Sequence, residues 1–219
     1  MSPPTVLSLY PSNQPLAGLV LAHGAGGGQR SRFMVDAANA LALRRVTVAT
    51  FDFPYVTEGR KVPDKGPVLE SHWRAVIDAA RSDPAFAGLP LVIGGKSMGG
   101  RIASQVAAQD VEGIAGLVYF GYPLHPPGRP DQRRDRHLPD IAAPMLFVQG
   151  TRDPFGTAQE IRELLPRLDT RTKLFDVSDG DHSFNVRIKV AGKKTETVLT
   201  GIFDAAAGFI HACAKSTSP

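Results

Sequence analysis

Five short apolar runs constrain the fold of this chain more than any other feature. They are AGLVLAH at 17–23, VTVATFDF at 46–53, PLVIGG at 90–95, GLVYFGY at 116–122 and PMLFVQG at 144–150. A strand with one wet face alternates apolar and polar residues; these runs do not. Unbroken runs of this length predict strands buried on both faces, as in a parallel sheet covered by helices. TKLFDVSD at 172–179 predicts a sixth strand, and TVLSLY at 5–10 an edge strand.

Helical periodicity fills the gaps. Leu69, Trp73, Val76, Ile77 and Ala80 fall on one helix face. Phe33, Ala37, Ala40 and Leu41 outline an earlier helix with Ser31 as its cap, and Ile102 and Val106 one that starts just after Ser97. Ile161, Leu164, Leu165 and Leu168 predict another. Val198, Ile202, Ala206, Phe209 and Ile210 predict the last, capped by Thr195. The order β-α-β-α-β-α-β-β-α-β-α predicts a doubly wound, mostly parallel α/β sheet. A length of 219 residues suits one large domain, so residues 1–219 are read as a single one.

The stretch GGKSMGGR at 94–101 admits two chemistries. Gly95-Lys96-Ser97 could end a phosphate-binding loop of the form G-x-x-x-x-G-K-[ST]. That loop needs a glycine at position 90, where the chain has Pro90, and a flexible cradle where Leu91-Val92-Ile93 read as strand. Both requirements fail. Gly95-Lys96-Ser97-Met98-Gly99 also fits G-x-S-x-G, the sharp strand-to-helix turn that presents a nucleophilic serine. Here the context agrees, since a strand leads in, a helix leads out, and small residues let the chain fold tightly on itself. Lys96 is then the variable residue of the turn, with no catalytic role assigned.

A nucleophilic serine needs a base and an acid to orient that base, in the chain order Ser, Asp or Glu, His. Asp153 follows the run PMLFVQG and His182 follows TKLFDVSD. In a parallel sheet the two loops share the rim that carries Ser97. Competing acids are Asp176, Asp179 and Asp181; competing histidines are His23 and His125. The N–H of Met98 is the first expected oxyanion donor. The second should come from HGAGGG at 23–28, with Ala25 first and Gly26 next. His23 is read as a brace for that loop. Tyr55, Tyr122, Leu124 and His125, with Gly26, are the candidate pocket residues.

Other classes find little support. One cysteine, Cys213, excludes an intrachain disulfide, and no metal-ligand cluster stands out, so neither metal nor cofactor is expected. A net charge of +4 spread along the chain, with no basic-aromatic pattern, gives no reason to expect nucleic acid. Nowhere do 18 apolar residues run together, and MSPPTVLSLYPSNQ lacks a signal-peptide pattern, so the expectation is a cytoplasmic protein without a membrane span. The sequence is silent on oligomeric state.

LAHGAGG, GGKSMGGR, GYPLHPPGRP, PMLFVQGTRDP and GDHSF, in this order, resemble a group of small α/β-hydrolase proteins. The group includes the testis-expressed-30-type proteins and the hydrolase-like domain of a chromatin-complex regulatory subunit. They are distant relatives of dienelactone hydrolases. The likeness covers about residues 16–212. It implies the α/β-hydrolase fold and a triad at Ser97, Asp153 and His182. Dienelactone hydrolases use cysteine at the turn, where this chain has serine. The connection PLHPPGRPDQRRDRHLPDIAA is too short and proline-rich for a cap domain. Its arginines, Arg129, Arg133, Arg134 and Arg136, read first as a solvated loop paired with Asp131 and Asp135, and second as an attractor for a substrate carboxylate or phosphate. These readings point to a carboxylesterase or other acyl hydrolase acting on small soluble esters or thioesters through an acyl-enzyme. The alternative is a non-catalytic binding or scaffold protein on the same fold.

Overall fold

The computed structural model describes residues 6–109, 111–169, 171–187, 192 and 194–216. Seven strands form one sheet: β1 (Ser8–Tyr10), β2 (Ala17–Ala22), β3 (Val46–Phe51), β4 (Leu91–Lys96), β5 (Ile114–Phe120), β6 (Met145–Gly150) and β7 (Lys173–Val177). Their order is β1-β3-β2-β4-β5-β6-β7. Only β1 runs antiparallel, against β3; the pairs from β3 through β7 are parallel. The apolar runs behave as their composition dictates. Every residue of β2, β3 and β6 is buried, and all but one residue of β4 and of β5.

Helices cover both faces. α1 (Arg32–Ala42) and α6 (Thr195–Ser216) pack Met34, Leu41, Ile202 and Ile210 against Leu19, Val48, Val118 and Val148. On the other face, α3 (Gly66–Ser82), α4 (Met98–Ala107) and α5 (Ala158–Arg162) set Trp73, Ile77, Ile102 and Ile161 on Val20, Ile93, Leu117 and Phe147. Burying one such side chain stabilises the fold by about 1.5–3 kcal/mol. Trp73 is wholly buried, and its indole N–H donates to the Gly99 carbonyl, tying α3 to the first turn of α4. A one-turn helix, α2 (Pro54–Thr57), follows β3.

Several local expectations need correction. The predicted helix over 161–168 is shorter: α5 closes at Arg162, and a 3-10 turn at Leu165–Arg167 replaces the rest. Pro166 supplies the reason, since it lacks an N–H and disfavours helix at the residue before it. Thr157 caps α5 through a reciprocal box with Glu160. Ser31 precedes α1 without a side-chain capping bond. Thr195 is the first residue of α6, where its hydroxyl accepts from the Val186 N–H. The edge strand covers Ser8–Tyr10, and Thr5 lies outside the described residues.

Two features bear on the site. The strand order turns around at β2, which has β3 on one side and β4 on the other, so a crevice opens at the carboxyl ends of β2 and β4. Residues 121–144, between β5 and β6, hold one short 3-10 turn at Leu138–Asp140 and no inserted cap. α6 is 22 residues long and apolar enough, by length and composition, to cross a membrane. Its apolar face is spent on the sheet through Ile202, Phe203, Ala206, Phe209, Ile210 and Cys213.

Candidate active site

Ser97 sits between the end of β4 and the start of α4 with φ +50° and ψ −119°. A non-glycine residue pays about 1–3 kcal/mol for such a conformation, and it persists only where its surroundings leave no choice. The surroundings are tight here. A Cβ on Gly94 would lie 2.0 Å from the Val118 carbonyl oxygen, and one on Gly99 would lie 2.5 Å from that of His23. The Ser97 N–H donates to the Phe120 carbonyl at 3.1 Å.

The turn brings Ser97 to His182. Ser97 Oγ and His182 Nε2 are 2.8 Å apart, and His182 Nδ1 is 2.7 Å from Asp153 Oδ2. An ionised carboxylate only accepts, so Nδ1 carries the ring proton and Nε2 faces the hydroxyl as an acceptor. Asp153 is buried. Its Oδ1 accepts from the Phe155 N–H at 2.8 Å, and its Oδ2 also accepts from Gln149 Nε2 at 3.0 Å. The competing acids are engaged elsewhere. Asp176 pairs with Arg162, Asp179 with Arg152 and Arg187, and Asp181 with Ser183 and Asn185. The Arg187 guanidinium holds the Asp179 carboxyl down at about 2.

The oxyanion candidates flank the same turn. Among the described residues, the N–H groups of Met98 and Ala25 have no acceptor. Gly24 packs against the elbow, where a Cβ would come 3.3 Å from Ser97 Cβ. Ala25 and Gly26 are exposed, and Gly26 has φ +74°. His23 fixes this loop. Its Nδ1–H donates to the Gly24 carbonyl at 2.9 Å, and its Nε2 accepts from the Phe53 N–H at 3.2 Å. Burial lowers its pKa, which suits a ring that must stay neutral to accept at Nε2. The bracing role expected for His23 thus has a geometry.

The predicted pocket residues fare differently. Tyr122 and Leu124 do not face solvent at the rim; both are fully buried. Gly121, at φ +70°, turns the chain inward after β5. Tyr122 then donates its hydroxyl to the Arg134 carbonyl at 3.0 Å, and Leu124 joins the core. His125 is also buried, with Nε2 paired to Glu160 at 3.0 Å. Tyr55 is buried beside His23 and Phe53. Its hydroxyl lies near the Gly26 amide, without a hydrogen bond of ordinary geometry among the described residues. Of the five, only Gly26 is open to solvent.

Three neighbours of the site carry no role in the sequence reading. The Phe155 ring lies 4.4 Å from the His182 ring, centroid to centroid, and is tilted by 36°. Lys96 donates to the His182 carbonyl. Gln149, fully buried, donates to Asp153, to the Gly156 carbonyl at 2.6 Å and to the Tyr122 carbonyl at 3.3 Å, and accepts from the Tyr122 N–H at 2.8 Å. An amide inside an apolar strand was the available signal, because a buried polar side chain needs partners. Gln149→Leu removes these bonds at once. It is expected to destabilise the protein by about 1–3 kcal/mol, read as a lower urea midpoint.

A second serine–histidine contact, Ser104 Oγ to His137 Nε2 at 2.8 Å, has another character. Ser104 is wholly buried inside α4 and donates to the Arg101 carbonyl at 2.7 Å, so no substrate carbonyl reaches it. A concavity lined by Val111, Gly113, Ile114 and Ala143 among others lies at the amino ends of β5 and β6, away from Ser97. Among the described residues, no group of three or more His, Cys, Asp or Glu is placed to hold a metal ion.

The sheet order, the strained serine turn and the open β5–β6 connection together define a class, and the comparisons agree with it. Residues 15–211 match the family model described as "Alpha/beta hydrolase domain", and the chain belongs to that family. Solved structures share the fold. A dienelactone hydrolase from Anabaena variabilis aligns with TM-score 0.73 at 22% identity, over 93% of this chain and 89% of its own. An α/β serine hydrolase without lid from Xanthomonas campestris gives 0.69 at 22%, over 91% and 86%. A monoacylglycerol lipase from Paleococcus ferrophilus gives 0.70 at 16%, over 95% and 99%.

Proposed function

We propose that this protein is a serine hydrolase, an acyl hydrolase of small soluble esters or thioesters, with Ser97, His182 and Asp153 as its catalytic triad. The observation that carries the proposal is the continuous row of bonds from Ser97 Oγ through His182 to Asp153. His182 Nε2 takes the Ser97 proton as Oγ attacks the substrate carbonyl. Asp153 holds the imidazolium through Nδ1–H. The Met98 and Ala25 N–H groups, which lack acceptors among the described residues, bind the oxyanion. His182 returns the proton to the leaving group, then activates water to release the acyl group from Ser97.

The substrate range follows from the rim. No cap is inserted between β5 and β6 to enclose a long acyl chain, which favours small substrates. The likeness of five sequence motifs to the testis-expressed-30-type group belongs to the same proposal.

The test joins a fluorophosphonate probe to a series of p-nitrophenyl esters of rising chain length. Wild-type protein should label covalently and turn over the short esters best. Ser97→Ala should not label and should lose ester turnover by at least about a thousandfold. Unlabelled wild type, or labelling that survives Ser97→Ala, would sink the enzyme reading in favour of a binding role.

A further inference from the structure

Lys96 is unused by the mechanism above, yet its side chain ends at the base. Its ammonium donates to the main-chain carbonyl of His182. The nitrogen lies 5.0 Å from the Phe184 ring centroid and 5.9 Å from that of Phe33 on α1. A Cβ on Gly121 would stand 2.9 Å from Lys96 Nζ and 3.3 Å from His182 Nδ1. The ammonium and the Asp153-facing nitrogen of the ring therefore border one glycine.

The charged groups that face it are Asp153 from the β6–α5 loop and Asp181 from the β7–α6 loop, and it makes no direct ion pair with either. An ammonium has three donors and no acceptor capacity. One donor is spent on the His182 carbonyl, and aromatic faces attract the rest of the charge. This arrangement holds a cation beside the base without adding a carboxylate that would compete with Asp153 for Nδ1.

We propose that Lys96 is a positioning residue for His182: its ammonium pins the His182 main chain and so keeps the imidazole in line between Asp153 and Ser97. The effect on catalysis rests on the triad reading; the effect on the ring does not. Burial pushes the Lys96 pKa down to about 8, so the ammonium loses its proton within an accessible range. The neutral amine is a weaker donor and is no longer held by the rings. Ring alignment should therefore weaken as pH rises through about 8.

Two readouts test this. The first is the rate of fluorophosphonate labelling against pH for wild type, Lys96→Met and Lys96→Arg. Wild-type labelling should fall above about pH 8. Lys96→Met should label about tenfold more slowly at neutral pH and lack that fall. Lys96→Arg, charged throughout, should lose the alkaline fall as well. The second readout is the proton resonance of His182 Nδ1–H, which needs no activity. It should be sharp in wild type at neutral pH, fade as pH rises through about 8, and be broadened by exchange in Lys96→Met. If Lys96→Met does not fold, the wild-type titration and Lys96→Arg decide. The proposal is overturned if Lys96→Met keeps the wild-type rate and resonance, or if the alkaline change stays at the same pH in Lys96→Arg. Wild type that never labels, yet shows the expected resonance changes, would overturn the triad reading and leave the positioning role standing.

Discussion

Asp153→Asn is expected to leave a folded protein whose kcat/KM for esters is lower by about three to four orders of magnitude. The reason lies in the donors around the carboxylate. Oδ1 accepts from Phe155 N–H; Oδ2 accepts from Gln149 Nε2 and His182 Nδ1. An asparagine must place an NH2 at one of these positions. At Oδ1 it opposes the Phe155 N–H. At Oδ2 it opposes the Gln149 amide and turns the imidazole to the tautomer whose Nε2 carries a proton and cannot accept from Ser97. The first orientation leaves the Phe155 N–H without its acceptor, at about 1–3 kcal/mol; in the second the Gln149 amide keeps the Gly156 and Tyr122 carbonyls, so the orientation that spoils the tautomer is the favoured one. Circular dichroism should still report the native fold, and probe labelling should slow in step with ester turnover. A loss of less than tenfold would contradict the role given to Asp153.

Gly94→Ala is expected to act on the fold rather than the chemistry, and severely. The new methyl would stand 2.0 Å from the Val118 carbonyl oxygen and 2.9 Å from its carbon, between two central parallel strands. Nothing there is the end of a flexible side chain, so β4 and β5 must part or the variant must not fold. The expected loss is at least about 3 kcal/mol, above the usual range for overpacking because the neighbour is backbone. Gly208→Ala in α6 is the control. It is exposed, nothing lies within 4 Å of its added Cβ, and it should gain about 0.5–1 kcal/mol. Urea melts of the pair read both signs. A Gly94→Ala protein as stable as wild type would refute the packing argument.

The sheet was legible because its signal is local. A strand buried on both faces must be apolar throughout, and AGLVLA and MLFVQG become β2 and β6 with every residue buried. That Ser97, Asp153 and His182 meet was legible for a related reason: each follows a strand, and parallel strands send their exits to one rim. The failures share a cause as well. Tyr122 and Leu124 also follow a strand, but Gly121 at φ +70° turns them inward, and no residue spacing encodes that turn. Lys96 reads from sequence only as the variable residue of the serine turn, because its partner, the His182 carbonyl, is 86 residues away. Gln149 hid in a strand for the same reason, with its contacts on two loops. Contacts made by one long polar side chain across loops leave no periodic trace.

On the proposed mechanism, the bare connection between β5 and β6 would decide who receives the acyl group. An acyl-enzyme at Ser97 would sit beside the exposed Ala25–Gly26 loop, under no inserted cap. Bulk water would then reach the ester from the moment it forms. Enzymes that hand acyl groups to alcohols or amines exclude water while they wait for the acceptor. If the triad acts as proposed, its chemistry is expected to favour hydrolysis over transfer, and an added alcohol should divert only a small share of product at any concentration water still dominates.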